Sequence, residues 1–273
     1  MSANKKERPY IPAVREAALR EFRERVGEGF RFAPVVALIA AYDEEDCIGA
    51  VLDAIAPEAC GLAVDVLVVD DGSTDGTAEV VGKHEGVHLA RLERNCGHGV
   101  ALRLGYQLVS ELGGQFIVTL DADMQWDPHE IPTVLEPLAA GEADFVIGSR
   151  ALGTAETDDA FRSAGVTVFA KLVSGLTGVH VTDTSSGFRA MKAEIPQKVE
   201  QIQVQYQTSE LLIGAIYAGY RIAERPITMH KRLAGESKKG HNLLYGGRYA
   251  RVILTTWARE RRRARRAGRQ AGR

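Results

Sequence analysis

The sequence predicts an α/β protein: a mostly parallel sheet flanked by helices, with further strands and helices in the C-terminal half. Three observations lead there. Short apolar runs rich in β-branched residues recur through the first half, each closed by glycine or acidic residues. A helical pattern follows each run, and strands alternating with helices build parallel sheets covered on both faces. The composition is 45% hydrophobic and 26% charged over 273 residues, which suits a globular chain able to bury a sizeable core.

The elements follow in order. Residues 11–27 place Val14, Ala17, Leu19, Phe22 and Val26 at helical spacing among mixed charges, so segment 1–33 reads as an N-terminal accessory helix. Strands are expected at Val35–Ala41, Val64–Val69, His88–Leu92, Phe116–Leu120 and Phe145–Gly148. Helices separate them at about 45–56, 75–84, 98–112 and 129–139. Beyond Arg150 the chain reads as a helix (Ala160–Leu176), a short strand (Gly187–Met191), a helix (Thr208–Ala218) and a strand (Arg221–Met229). Pro226 suggests an edge position for that last strand. Leu233–His241 is polar and glycine-rich, and its loop Gly235–Gly240, with the cluster Met229-His230-Lys231-Arg232, suits a lid. The catalytic unit is expected over 34–241, and 242–273 is a C-terminal helix with an arginine-rich end.

No apolar run approaches the ~20 residues of a membrane span. The start, Met1 to Arg8, has no apolar segment behind it and no visible secretory signal. Cys47, Cys60 and Cys96 lack metal-ligand spacing and read as reduced thiols, so a cytoplasmic location is expected. The net charge of −2 conceals an asymmetry: Arg259–Arg273 holds eight arginines and one glutamate. That end suits either an anionic membrane face or a solvated helix terminus. Without interleaved aromatics it attracts polyanions only without sequence preference, and the acidic body opposes this, so no nucleic-acid partner is expected.

Ligands of open α/β sheets bind beyond the carboxyl ends of the strands, and the chemistry-bearing residues fall there. The run Phe116-Ile117-Val118-Thr119-Leu120 ends in Asp121-Ala122-Asp123-Met124-Gln125. Alternation sends Asp121, Asp123 and Gln125 to one side. Converging carboxylates repel unless a cation lies between them, and oxygen ligands suit Mg2+ or Mn2+. At an earlier strand end stands Val69-Asp70-Asp71-Gly72-Ser73-Thr74-Asp75-Gly76-Thr77. Asp70 and Asp71 face opposite ways, so one supports the turn and the other meets ligand. Gly97-His98-Gly99 opens a helix, where anions are favoured. Gly148-Ser149-Arg150 ends another strand with a fixed cation.

The ordered set Tyr42-Asp43-Glu44-Glu45, Asp70 to Thr77, Gly97-His98-Gly99, Asp121 to Gln125 and Gly148-Ser149-Arg150 resembles family 2 glycosyltransferases of the GT-A fold. Asp183-Thr184-Ser185-Ser186-Gly187-Phe188-Arg189 and Arg232-Leu233-Ala234-Gly235-Glu236-Ser237-Lys238 resemble the branch that makes dolichyl- or polyprenyl-phosphate mannose or glucose. The resemblance covers about 34–240. It implies metal-dependent transfer of a hexose from a GDP- or UDP-sugar to a lipid phosphate, with inversion. It puts Ala41, Tyr42, Glu44, Asp71 and Gly97 around the nucleoside, with Asp121 and Ala122 beside it. It makes Asp121, Asp123 and Gln125 the metal and diphosphate positions. Arg150, Arg189, Arg232, Ser237 and Lys238 become diphosphate or acceptor contacts. Two positions depart from the usual pattern: Ala40 stands where Pro is usual, and Asp43 where Asn is usual.

Two acceptor classes stay open at this stage. A hydroxyl acceptor needs a general base, for which Glu210 in Gln207-Thr208-Ser209-Glu210 is the candidate; a phosphate monoester is already anionic and needs none. In the base reading Asp123, Arg150, Glu210 and Arg232 form the catalytic set. His230 is either a further metal ligand or a surface histidine. A non-enzymatic nucleotide-sugar binding protein is the remaining alternative, and the acidic triplet argues against it.

Overall fold

The computed structural model describes residues 11–156, 160–203, 205–233 and 243–271. In chain order the elements are α1 (Ile11–Val26), β1 (Val35–Ala41), α2 (Ile48–Asp53), β2 (Glu58–Ala59), β3 (Leu62–Asp70), α3 (Thr77–Gly82), β4 (Val87–Arg91), α4 (His98–Glu111) and β5 (Phe116–Asp121). There follow α5 (Ile131–Ala139), β6 (Phe145–Ala155), α6 (Ala160–Thr177), β7 (Arg189–Lys192), α7 (Ile195–Lys198), α8 (Gln207–Tyr217), β8 (Ile222–Met229) and α9 (Leu243–Ala271).

The sheet order is β2-β3-β1-β5-β7-β6-β8, with β4 also paired to β3. β1 lies parallel to β3 and β5, so connections depart from it in both directions. That divergence opens a crevice at the strands' carboxyl ends. All seven residues of β1 are buried, because Val-Val-Ala-Leu-Ile-Ala-Ala is apolar on both faces. Val36, Leu38 and Ala40 enter one core with α1, α4 and α8; Val35, Ala37, Ile39 and Ala41 enter the other with α2 and α5.

β7 runs antiparallel to both β5 and β6, which makes the sheet mixed. Among the described residues β6 is the one strand beside β8, which also bridges Trp126 through Met229, so Pro226 does lie on an edge strand. β6 continues to Ala155 rather than ending near Gly148. The register shifts between Ser149 and Thr154, and pairing to β8 resumes beyond the irregularity. Gly153 permits this: a Cβ there would stand 2.2 Å from the Ile227 carbonyl oxygen.

α1 is joined to the main core rather than peripheral to it. Ile11, Val14, Leu19 and Phe22 are buried there, and Phe22 stacks on Phe32 with ring centroids 6.1 Å apart. At the other end α9 packs on α6 and α8 and places Tyr249 and Ile253 in the core. The Tyr249 ring meets Phe169 edge-on at 4.5 Å, and Trp257 Nε1 donates to the Leu176 carbonyl at 2.8 Å. Among the described residues no helix is long and apolar enough to cross a membrane.

Candidate functional site

The crevice is built first by the ends of β1 and β3, where Ala41 is registered with Asp70. Asp43 takes φ +50, a conformation that Asp and Asn tolerate better than other side chains, and its Oδ1 accepts from Thr74 N at 2.9 Å. Asp thus meets the backbone demand at a position where the family usually has Asn. Tyr42 precedes it, half-buried, and the neighbouring Asp43 charge raises its phenol pKa.

The two adjacent aspartates divide their roles. Asp70 supports the turn: its Oδ1 accepts from Ser73 N at 2.8 Å and its Oδ2 pairs with Arg91 Nε at 3.0 Å. Asp71 points the other way. Its two oxygens accept from Cys96 N (2.7 Å) and Gly97 N (2.8 Å), which fixes the opening of α4 against the end of β3. Burial raises its pKa to about 6; the two N–H bonds oppose the shift and Asp70 adds to it. Each carboxylate oxygen keeps a second lone pair for a ligand N–H. Gly72 follows at φ +74, where a Cβ would lie 2.4 Å from the Arg94 carbonyl carbon, so no other residue fits this crossing.

At the end of β5 the alternation argument stops at Asp121. Met124 adopts φ +59 and residues 122–124 form a turn. Asp121 Oδ2 accepts from Trp126 Nε1 at 3.0 Å. Asp123 Oδ1 accepts from Gln125 N at 3.1 Å, and its Oδ2 pairs with Arg232 Nε at 3.3 Å. The alternation that puts Gln125 on the same side as the two aspartates therefore does not hold through this turn. What the turn brings in is its main chain: the N–H on Asp123, and the carbonyl accepting from His230 N at 2.8 Å. Ala122 is buried between the two aspartates.

Two carboxylates still fit a hard divalent ion. Gly187 leaves a cradle beside Asp121, since a Cβ there would stand 3.0 Å from both carboxylate oxygens. The Arg232 ion pair marks the other carboxylate as a cation position. Among the described residues no group of three or more His, Cys, Asp or Glu side chains gathers as a complete metal cage. Mg2+ and Mn2+ sites of this kind draw their remaining ligands from water and substrate phosphate.

The cations differ in what they can do. Arg232 bridges the β1 and β5 ends by pairing with both Glu44 and Asp123. Arg150 is held by fully buried Asp183 through Nε (2.7 Å) and Nη2 (3.1 Å), and it lies over the Trp126 ring. Arg189, expected as a phosphate contact, is instead buried beneath the site. Its guanidinium donates to the carbonyls of Ser186, Thr184 and Thr208, knitting the 184–188 loop to α8. It lines a small pocket with Asp121, Gly187 and Tyr106, and each of its three nitrogens donates to a main-chain carbonyl of the fold. His230 faces Glu156 at 3.4 Å on the surface. Ser237 and Lys238, with the expected lid 235–240, lie outside the described residues.

Glu210 requires the largest correction. It is 0% exposed. Its Oε2 accepts from Ile202 N (3.0 Å) and Gln203 N (2.9 Å), and its Oε1 accepts from Arg259 Nη1 at 2.9 Å. The carboxylate joins α8, the 200–203 loop and α9; it does not reach the crevice as a base. The sequence reading does not single out Trp126, Asp183 or Gly187. The signal for the last two is the Asp183–Arg189 motif itself, which surrounds an arginine with an acid and a glycine.

These side chains hold a dense set of carboxylates and arginines at the carboxyl ends of parallel strands, an arrangement able to offset the charge of a diphosphate leaving group. Comparison with known proteins gives the same direction. The model of Glycosyl transferase family 2 matches residues 36–199. A dolichyl-phosphate hexose transferase of Haloferax volcanii is 35% identical over 209 residues, covering 77% of this chain and 88% of that protein. An undecaprenyl-phosphate mannosyltransferase of Micrococcus luteus is 30% identical over 247 residues, covering 82% and 93%. Among solved structures, glucosyl-3-phosphoglycerate synthase from Mycobacterium tuberculosis, crystallised with Mn2+ and UDP, shares the fold. Its TM-score is 0.63 at 21% identity, over 89% of this chain and 83% of that one. With the family match running through strands β1 to β7 and the ends that bear these residues, the chain belongs to glycosyl transferase family 2 and is a glycosyltransferase of the GT-A fold.

Proposed function

We propose that this glycosyltransferase moves a hexose, mannose or glucose, from a GDP- or UDP-linked donor to a polyprenyl or dolichyl phosphate, with inversion and with Mg2+ or Mn2+ as cofactor. The observation that carries the acceptor class is the engagement of Glu210. A hydroxyl acceptor must lose a proton to a positioned base, whereas a phosphate monoester arrives ionised. The candidate base is buried and bound by two backbone N–H groups and an arginine. The names of the Haloferax and Micrococcus relatives, both transferases to polyprenyl-type phosphates, support the same class.

In this reading Ala41, Tyr42, Glu44 and Asp71 receive the nucleoside, and Gly97 fixes Asp71 from behind. The diphosphate lies over Ala122, between Asp121 and Asp123. A divalent ion bound there supplies Lewis-acid charge to the departing diphosphate. Arg232, already between Glu44 and Asp123, adds a permanent positive charge. Arg150 is oriented by Asp183 and presents a guanidinium next to Trp126, which in turn holds Asp121. The acceptor phosphate attacks the anomeric carbon from the face opposite the leaving group.

The test is incubation with radiolabelled GDP-mannose or UDP-glucose, Mn2+ and a short-chain polyprenyl phosphate in detergent. The expected product is a polyprenyl-phosphate sugar of inverted anomeric configuration, lost on chelation. Transfer to a hydroxyl acceptor with none to the phosphate refutes the acceptor class.

A further inference from the structure

We infer that the outer face of α9 is a docking surface for an anionic lipid bilayer. This deepens the proposed function by supplying the source of the lipid acceptor, and it rests on that reading for its purpose only. Composition alone treats the arginines of 259–273 as one patch; the structure separates them. Arg259 turns inward to Glu210, Glu200 and Glu260, and Arg263 pairs with Glu200 and Glu260. These two belong to the fold.

The exposed set is different and begins earlier. Arg248, Arg251, Arg262, Arg265 and Arg266 are exposed on one side of the helix, and Arg261, also exposed, lies over the Trp257 ring beside them. At 100° per residue the first five project within an arc of roughly 100° along about 27 Å of helix. The sole acid of α9, Glu260, is 8% exposed and faces Arg259 and Arg263, so the stripe has no compensating charge on its own helix. Leu254 stands 45% exposed at the margin of the stripe. The neighbouring helix α6 contains no acid; it exposes Lys171 and, at 60%, Val168. A basic face with the exposed Leu254 at its margin matches an interfacial helix, which gains from anionic headgroups and from shallow apolar burial together. A nucleic acid would use the charges but not Leu254 or Val168.

The face is coupled to the site. Tyr249, on the inner side of α9, donates through its hydroxyl to the Thr184 carbonyl at 3.2 Å. Thr184 adjoins Asp183, which holds Arg150. A bilayer bound to the outer side of α9 thus lies one helix thickness from the loop that positions a site arginine.

The experiment is co-sedimentation of the full chain with phosphatidylcholine vesicles, with and without about 30% phosphatidylglycerol. The test variant carries Arg248→Gln, Arg251→Gln, Arg262→Gln and Arg266→Gln. Wild type is expected to bind only the anionic vesicles and to be released by 0.5 M salt, which shortens the Debye length to about 4 Å and screens the exposed arginines. The variant is expected to lose roughly 500-fold in partition coefficient at low salt, with unchanged melting temperature and unchanged turnover on a short-chain, detergent-dispersed acceptor. Equal binding of wild type to neutral and anionic vesicles, or no binding to either, overturns the inference without reference to the variant. Undiminished binding by the folded variant overturns it too, as does tighter binding of wild type to duplex DNA than to anionic vesicles. Retained vesicle binding without transfer to the short-chain phosphate acceptor strikes the acceptor reading and leaves the docking surface standing.

Discussion

Replacing Glu210 with Gln separates a structural carboxylate from a catalytic one. In the native fold Oε2 accepts two backbone N–H groups and Oε1 accepts the Arg259 guanidinium. A glutamine has one oxygen and one NH2 group. If its oxygen serves Ile202 and Gln203, the NH2 faces Arg259, donor against donor; the flipped amide meets the two backbone N–H groups instead. Breaking a buried pair by removing one partner costs about 3–5 kcal/mol. Arg259 keeps Glu200 and Glu260, which brings the expected loss to the lower end, about 3 kcal/mol. At this chain length a kcal/mol corresponds to about 2 °C, so the melting temperature should fall by roughly 6 °C. At 25 °C the surviving folded enzyme should transfer sugar to a polyprenyl phosphate within about threefold of wild type, whereas loss of a general base costs at least ~100-fold. Calorimetry and initial rates on one preparation decide between them. A hundredfold loss of kcat at unchanged melting temperature would falsify the structural assignment and restore Glu210 as base.

Other outcomes follow from the same geometry. Asp123→Ala should abolish Mn2+-dependent binding of GDP or UDP in titration calorimetry while the protein stays folded; metal-dependent binding that survives would move the metal away from the β5 end. Gly187→Ala places a Cβ 3.0 Å from both Asp121 oxygens. It should weaken Mn2+-supported nucleotide binding at least ~10-fold with a stability change near 1 kcal/mol, and unaltered binding would show that Asp121 is not a ligand. Asp71, its pKa raised to about 6 by burial, must be ionised to accept a base N–H. Nucleotide affinity should therefore hold above pH 7 and fall about tenfold per unit below pH 6; a flat profile down to pH 5 excludes Asp71 from base reading. The stability effect of that shift has the opposite sense to a salt-bridged carboxylate. Its contribution is full below pH 4, where the group is protonated in both states, and is lost as pH rises through 6.

The central strands were legible because they are buried on both faces. β1 and β5 need no partner information to announce themselves as apolar runs, and the acids that end them follow directly. That Asp70 and Asp71 face different partners was legible for a similar reason, since neighbours on an extended chain point to opposite sides. The same rule does not reach as far as Gln125, because it holds only while the strand lasts and the strand ends at Asp121. β6 misled differently. Gly148-Ser149-Arg150 reads as a stop, yet the chain passes through an irregularity and pairs again with β8, a contact about 75 residues away that no local pattern encodes. β2 and α7 are too short for periodicity to register.

Charged residues were the least legible, because their chemistry depends on what surrounds them. Arg189 and Glu210 have the residue types and local settings of ligand-facing groups, and both are instead consumed by backbone partners in the interior. The arginine-rich end shows the converse. Composition presents it as one block, while packing removes Arg259 and Arg263 from it and adds Arg248 and Arg251. The two misreadings are one structural fact seen from both sides. The carboxylate that is missing from the catalytic crevice is the one that holds Arg259, and with it α9, against α8. Under the proposed transfer to a phosphate, which needs no base, Glu210 is free to anchor that helix, and a firmly anchored helix is what the proposed lipid-facing surface requires.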